Sequence, residues 1–256
     1  MSSRIVVYTS NNSENELLIS RAYDVIEASY TRRKNCYFGF LNEAEIYTLN
    51  ESLHIDSSQF CFWGGYEKAN RKMFCSLYDE FNVYDVPITA LEFTYKSIYK
   101  LTHRDFMGTI LSLGLDRNTL GDILVDDGRA VVFIKNDIKE YITSQITKIG
   151  GIGVKIKEAD LSNIPECDDI LEKTLTIASL RLDVLVSAFT GLSRDKSQKL
   201  ILQSMVSVNY SVCNSTSFKI KENDTIVVRK YGKFIVKNII GETKKGRLKL
   251  SVNYFR

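Results

Sequence analysis

Proline is almost missing from this chain: Pro87 and Pro165 are the only two in 256 residues. That scarcity excludes a proline-rich spacer or recognition tract, and it makes each proline a candidate junction between segments. Histidine is equally scarce, with His54 and His103 alone. His103, beside Arg104 and Asp105 at the start of a helical pattern, reads as a cap or surface contact rather than a general base. The five cysteines (Cys36, Cys61, Cys75, Cys167 and Cys213) are odd in number, scattered, and form no C-x-x-C pair. This argues against a disulfide framework and against a structural zinc site, and reads as reduced cytosolic thiols used mostly in packing. No apolar run reaches the roughly 18 residues that a membrane span requires. The early polar stretch Ser10-Asn-Asn-Ser-Glu14 gives no sign of a signal peptide. Internal repeats and low-complexity tracts are absent as well.

What is present is an uneven distribution of charge. Residues 172–256 carry 16 Lys+Arg against 6 Asp+Glu, a surplus of +10, and the remainder carries 18 against 25, or −7, which together give the net +3. A modest overall charge thus hides a strongly cationic last third, the electrostatic footprint expected for a nucleic acid partner. A lipid surface would call for an amphipathic helix with a basic face. The C-terminal cations instead lie in alternating, strand-like text, Lys244-Lys-Gly-Arg-Leu-Lys-Leu-Ser-Val252, so the expected partner is RNA or DNA rather than a membrane.

Within that third, Ser179 to Asn209 reads as helix, turn, helix and short strand. Leu180, Leu182, Leu185 and Val186 can line a buried stripe, leaving Arg181 and Asp183 at its edge. Ser193 suits the N-cap of the next helix, because its hydroxyl can accept from an orphan backbone N–H. Leu200 and Ile201 then face inward while Arg194, Lys196 and Lys199 project outward. Two cationic sets on short packed helices suit a phosphate backbone, and Asp183 is placed to orient Arg181 through a charge-assisted hydrogen bond. Lys244, Lys245 and Arg247 add to the basic face or form a solvated hairpin tip.

The first two thirds read as α/β text. Residues 14–33 have helical spacing, with Leu17, Leu18, Ala22, Val25 and Ile26 on one side. Asn42 to Leu53 is a second helix and Phe60-Cys-Phe-Trp63 a short strand ended by Gly64-Gly65. From Ile88 the order is strand, helix (His103 to Leu113), strand (Asp122 to Val125), tight turn, strand (Ala130 to Lys135), helix (Asp137 to Ile149) and strand (Val154 to Lys157). That is the β-α-β-β-α-β ferredoxin-like plait. RNA-recognition plaits stack bases on aromatics of the two central strands. The candidates here are Phe93, Tyr95 and Phe133, for which core packing under the helices is the better reading. Residues 159–171 form an acidic linker into the basic module.

Chemistry of other kinds finds little support. His103-Arg-Asp105 superficially resembles a kinase catalytic loop, but the Gly-rich loop, strand lysine and Asp-Phe-Gly element are missing. Arg194-Asp-Lys-Ser197 lacks the His-rich partner signature of a class I synthetase. Gly64-Gly65 is too short to cradle a phosphate. No nucleophile–base pair or carboxylate pair stands out, so no catalytic residue, cofactor or metal is expected.

Arg181-Leu-Asp183, Ser193-Arg194, Leu200-Ile201 and Val206-Ser-Val-Asn209 resemble the S-four (alpha-L) RNA-binding domain, with Ser204 standing where that pattern usually has Gly. Phe62-Trp-Gly-Gly-Tyr-Glu-Lys-Ala-Asn-Arg71, Thr102-His-Arg-Asp-Phe-Met-Gly108, Leu113-Gly-Leu-Asp-Arg117 and Gly121-Asp-Ile-Leu124 are similar to segments of the bacterial YlmH-like family (ribosome-associated quality-control protein P). The resemblance covers nearly the whole chain. It implies an α+β protein with an N-terminal α/β segment (1–80), a central RRM-like plait (81–160) and a C-terminal S-four domain (172–256).

It also implies a cytoplasmic, monomeric, non-enzymatic RNA-binding factor. Such a factor binds the large ribosomal subunit through rRNA and peptidyl-tRNA. It supports quality control of stalled nascent chains, together with a tailing factor that recruits alanyl-tRNA. The RNA site it implies comprises Arg181, Asp183, Ser193, Arg194, Lys196, Lys199 and Asn209, with Lys244, Lys245 and Arg247. Further tRNA or ribosome contacts would come from Arg71, Lys72, His103, Arg104 and Arg117. The alternative is an RNA-modifying enzyme anchored by the basic domain, and a third is a DNA-binding protein tolerant of B-form duplex.

Overall fold

The structure, a computed structural model, describes residues 12–165 and 170–255. Cys167, the polar start at Ser10 and Asn11, and part of the expected linker lie outside the described residues. The chain divides into two compact units between residues 166 and 167.

The first unit begins with α1 (Asn12–Arg32), β1 (Cys36–Leu41), α2 (Glu43–Ser52), β2 (Phe60–Trp63) and β3 (Lys72–Ser76). Helix α1 buries Leu18, Ala22 and Ile26 at i, i+4 and i+8, one stripe of a 3.6-residue period. Leu17, expected on that stripe, is 59% exposed, because it sits one residue off the buried line. Helix α2 starts at a capping box: Asn42 Oδ1 accepts from Ala44 N at 2.9 Å and Glu45 N at 3.0 Å, and Glu45 Oε2 accepts from Asn42 N at 2.7 Å. Each partner satisfies orphan donors of the other. The three strands pair antiparallel in the order β1-β3-β2. A bulge between Phe38 and Phe40 breaks the alternation of β1, so Phe38 and Leu41 pack toward α1 and α2 while Phe40 turns to the other face.

The plait follows: β4 (Ile88–Thr94), α3 (His103–Leu111), β5 (Leu120–Asp126), β6 (Arg129–Lys135), α4 (Lys139–Gln145), the short hairpin β7 (Lys148–Ile149) and β8 (Ile152–Gly153), and β9 (Lys155–Glu158). Its sheet is antiparallel in the order β5-β6-β4-β9, the arrangement of the ferredoxin-like plait expected from the sequence. The last helix is shorter than expected. A 3-10 turn at Asn136–Ile138 precedes α4, and Lys148 and Ile149 leave it for the β7–β8 hairpin. Gly150 and Gly151 carry φ of 53° and 83°, which suits a two-residue turn that demands positive φ twice.

One face of the plait sheet packs Leu91, Phe93, Val132 and Ile134 against Phe106 and Ile110 of α3 and Ile142 of α4. The other packs Ala90, Leu124, Val131 and Phe133 against Phe40, Met73 and Cys75 of the N-terminal sheet. The unit therefore has four layers: α1 and α2, the sheet β1–β3, the plait sheet, then α3 and α4. Phe93 and Tyr95 lie on the helix side, against Phe106. Phe133 does not: it faces the N-terminal layer, stacked on Tyr66 with ring centroids 4.9 Å apart. All three aromatics are engaged in packing, and the sheet face through which RNA-recognition plaits stack bases is covered.

The second unit consists of β10 (Ile170–Ile177), α5 (Leu182–Thr190), α6 (Arg194–Leu202), β11 (Val206–Val208), β12 (Ser211–Val212), β13 (Thr225–Val228), β14 (Gly232–Glu242) and β15 (Leu248–Phe255). The strands form one antiparallel sheet in the order β10-β15-β14-β13-β11-β12. Leu182, Leu185, Val186 and Ile201 of the helices bury against Val206, Ile226, Val236, Leu250 and Val252. Phe189 stacks on Phe234 at 4.4 Å and 8°.

Candidate nucleic-acid interface

The site is built around one carboxylate. Asp183 sits in the first turn of α5 and is fully buried. Its two oxygens take four bonds. Arg181 donates to it bidentately, Nε to Oδ1 at 3.0 Å and Nη2 to Oδ2 at 3.1 Å. Arg194 Nε and Gln198 Nε2 each donate to Oδ2 at 2.9 Å. Burial pushes the Asp183 pKa up, but the bonds from Arg181, Gln198 and Arg194 outweigh it and hold the carboxyl well below the usual range. The same bond raises the Arg181 pKa. A buried carboxylate left unpaired would be costly. Here it is compensated, and its charge fixes two guanidiniums side by side.

The backbone sets up this geometry. Ser193 caps α6, its hydroxyl accepting from Lys196 N at 3.5 Å, as the sequence predicts. Ser197 and Ile201 face inward, so Arg194 and Gln198, one turn apart, reach Asp183 from the adjacent helix. The outer parts of the two arginines face water, with side-chain exposures of 39% for Arg181 and 56% for Arg194. Lys196 and Lys199 are exposed beside them on α6. Sequence reasoning missed Lys219, which is exposed and pairs with Arg181 in an isolated antiparallel bridge. It lies in irregular text, where periodicity gives no signal.

Two expected site residues have other work in the structure. Asp183 itself is shut away from solvent, so it orients cations and does not touch a ligand. Asn209 is spent internally: its Nδ2 donates to Asp224 Oδ1 at 2.8 Å and its Oδ1 accepts from Thr225 N at 2.9 Å. Its φ of 46° is one that Asn tolerates better than most side chains, so Asn209 is a turn residue. Lys244, Lys245 and Arg247 stand exposed in the connection between β14 and β15, apart from the α5–α6 helix pair in sequence.

Ser204 explains the departure at the usual glycine. It adopts φ of 57° just after α6. Ser204 N bonds Ile201 O at 3.1 Å and Met205 N bonds Leu200 O at 3.0 Å, the two bonds of a Schellman close. An L-residue there is strained, and the Ser204 hydroxyl gains a 3.1 Å bond to Asn214 Oδ1.

In the first unit, Arg71 and Arg117 are not free for a ligand in the way the sequence suggests. Arg71 donates to the carbonyls of Leu120 at 3.0 Å, Phe40 at 2.6 Å and Arg117 at 3.2 Å. Arg117 donates to Leu120 O at 2.7 Å. Burial and the neighbouring Arg117 bring the Arg71 pKa down to about 10. Asp122 closes the cluster, accepting from Tyr66 Oη at 2.8 Å, Asn70 N at 2.7 Å and Arg71 N at 3.0 Å. The Gly-Gly-Tyr segment is part of the same staple. Gly65, at φ of 96°, lies so close to Phe133 that a Cβ would meet its Cδ1 at 2.5 Å. Lys72 is half-buried, while His103 and Arg104 are exposed at the start of α3. Although its surface is exposed, the protein atoms around the His103 ring desolvate it and, with the Arg117 charge, lower its pKa, while Asp122 opposes.

Among the described residues no helix is long and apolar enough to cross a membrane. The family model described as "Putative RNA-binding domain in YlmH" matches residues 80–163, and the S4 domain model matches residues 180–226. Over 196 residues the chain is 30% identical to Ribosome-associated protein quality control protein P2 of Bacillus subtilis (strain 168), covering 74% of this chain and 76% of that protein. The solved structure of Cell division protein ylmH from Streptococcus pneumoniae shares the fold, with a TM-score of 0.52 at 19% identity, over 62% of this chain and 99% of that one. With a relative matched at that identity over this much of its length, the chain belongs to the bacterial YlmH-like family.

Proposed function

We propose that this protein is a non-enzymatic, ribosome-associated RNA-binding factor of the cytoplasm. It acts as a monomer on the large subunit, holding rRNA and peptidyl-tRNA and supporting quality control of stalled nascent chains with a tailing factor that recruits alanyl-tRNA. The observation that carries this reading is the arginine pair on one buried carboxylate, Arg181 and Arg194 on Asp183, set in a unit with a +10 surplus. The matched RNA-binding models and the name of the Bacillus relative support it. Two guanidiniums ordered on one carboxylate keep outer N–H groups facing water, where they can donate to phosphates of a folded RNA. Lys196, Lys199 and Lys219 extend that surface, with Ser193 as the cap that aims Arg194. Lys244, Lys245 and Arg247 form a second contact. Phosphate contacts carry no sequence information, so selectivity for a tRNA-bearing subunit comes from the body, through Lys72, His103 and Arg104 rather than from Arg71 and Arg117.

Co-sedimentation with purified large subunits tests the assignment. The full chain should pellet with them, and Arg181→Ala/Arg194→Ala should remain in the supernatant but melt lower, because it leaves the buried Asp183 carboxylate with Gln198 alone. Lys196→Ala/Lys199→Ala, which removes two exposed cations, should weaken pelleting with its melting temperature near that of the wild type. A folded double variant that still pellets would refute it.

A further inference from the structure

The covered plait face leaves the first unit with another surface that the RNA reading does not use. Residues 77–86 run from the end of β3 toward β4 and present apolar side chains to solvent. Tyr84 is 90% exposed, and Tyr78, Phe81 and Val83 are exposed as well. These are not the tips of a slack loop. Asn35 Oδ1 accepts from Tyr78 N at 2.8 Å and Asp79 N at 3.0 Å, and its Nδ2 donates to Glu80 O at 3.3 Å. Asn82 Oδ1 accepts from Tyr84 N at 3.0 Å, capping a 3-10 turn over Val83–Asp85. Tyr78 meets Tyr30 of α1 edge-on at 6.1 Å, and Phe81 meets Trp63 at 6.4 Å. The backbone of the segment and the rings of Tyr78 and Phe81 are therefore held in place before anything binds, and a tyrosine side chain such as Tyr84 gives contact area at low entropic cost.

The charge within the segment has one sign. From Met73 to Tyr95 there are four acidic residues and no Lys or Arg. Asp79, Glu80 and Asp85 line a cleft of about 330 Å³ together with Asn35, Tyr37 and Lys34. Among the described residues, none of those three carboxylates forms a salt bridge with Lys, Arg or His. Three carboxylates against Lys34, the single cation among the lining residues, disfavour a phosphate backbone. A cationic side chain, in contrast, can enter the cleft while its stem lies along an aromatic face.

We propose that residues 77–86 are a docking surface for a lysine- and arginine-rich segment of another polypeptide. Tyr84 and Phe81 cover the stem of the segment, and Asp79, Glu80 and Asp85 hold its cationic heads. The surface belongs to the acidic body and works independently of the arginine pair in the basic unit.

The test uses the full chain and a fluorescein-labelled deca-arginine peptide, read by anisotropy at several salt concentrations. The wild type should bind, and Tyr84→Ser should bind about two- to fivefold more weakly, the loss expected for an exposed cation–aromatic contact. Asp79→Asn/Glu80→Gln should also bind weakly and flatten the salt dependence. Glu140→Gln, an acid outside the patch, should change nothing. Tyr84 is almost wholly exposed, so its loss leaves folding intact. Bulk tRNA binding should be unaffected by Tyr84→Ser and lost in Arg181→Ala/Arg194→Ala, whose peptide binding stays at the wild-type level. The inference is overturned by a wild type that ignores the peptide, or by patch variants that bind it as the wild type does. It is equally overturned if Glu140→Gln loses as much as they do, which would mean diffuse charge, or if Tyr84→Ser loses tRNA affinity instead.

Discussion

Replacing Asp183 by Asn separates two accounts of the basic surface. If the surface attracts RNA only through its net charge, removing a negative charge from between two arginines should strengthen binding. If the carboxylate is a positioning group, binding should weaken. The geometry favours the second outcome. Asp183 accepts four bonds, three of them from guanidinium nitrogens, and an amide in its place presents one acceptor and a misdirected donor. Both arginines would then have to be ordered by the RNA itself, at about 0.5–1.5 kcal/mol for each immobilised long side chain. The sum, about 1–3 kcal/mol, corresponds to roughly 5- to 140-fold in affinity.

Stability falls as well. Breaking a buried pair costs about 3–5 kcal/mol when the remaining charge is trapped. Here the arginines are 39% and 56% exposed and can turn toward water, so about 2 kcal/mol is the better figure. The sign with pH follows from the depressed Asp183 pKa. A carboxyl held below its unfolded value stabilises the fold above that value, near 3.9, and loses the contribution as pH falls. The gap between wild type and Asp183→Asn should thus be flat from about pH 5 to pH 8 and narrow below about pH 4. Urea titrations across that range, with RNA anisotropy at pH 7, measure both effects. An Asn variant that matches wild-type stability and binds RNA more tightly would refute the positioning role.

Other changes probe the remaining contacts. With about five phosphates neutralised, log K for RNA should fall against log salt with a slope of roughly −3.5 to −4.5; a flat profile would point to a protein-mediated attachment. Ser204→Gly should relieve the left-handed strain after α6 and stabilise the basic unit by about 1 kcal/mol, less the exposed bond to Asn214, seen as a higher melting temperature. Gly65→Ala drives a Cβ to within 2.5 Å of the Phe133 ring and should cost about 2 kcal/mol or more, through overpacking and a positive φ together, in the denaturation of the first unit. Residues 172–256 expressed alone should bind empty and tRNA-bearing large subunits equally, and discrimination by that fragment matching the full chain would remove the targeting role assigned to the body.

Helix α1 and the paired helices α5 and α6 carry an apolar stripe beside a polar one, and their sequence reads accordingly. The plait strands, buried on both faces, read instead as apolar runs set off by turns, such as Ala130 to Ile134 after Asp127-Gly128. Strands β1 and β3 were invisible. Met73, Phe74 and Cys75 are buried between two layers, so β3 has no alternation to detect, and the bulge at Phe38 and Phe40 breaks the pattern of β1. The same gap misled the reading of Arg71. In sequence it belongs to a basic stretch, and only the fold brings the carbonyls of Phe40 and Leu120 against its guanidinium. Asp183 was legible as a partner of Arg181. Its burial and its bonds to Arg194 and Gln198 depend on how α6 crosses α5, which no local pattern encodes.

The covered sheet changes how an RNA-recognition plait can serve this protein. Base stacking on β4 and β6 would require the N-terminal sheet to leave, exposing Phe40, Met73, Leu124, Val131 and Phe133 to water. Fully burying a large apolar side chain is worth about 1.5–3 kcal/mol, so five of them make that opening far too costly for a reversible encounter with RNA. Arg71 and Asp122 reinforce the seal with polar bonds across the same layers. Whatever the body contacts, it contacts with edges and helix ends. There the plait offers His103 and Arg104, and the N-terminal layer offers the exposed aromatic segment around Tyr84 with Asp79, Glu80 and Asp85. The charge of the chain is thus divided, −7 outside residues 172–256 and +10 within them, so the phosphate contacts concentrate in the basic unit.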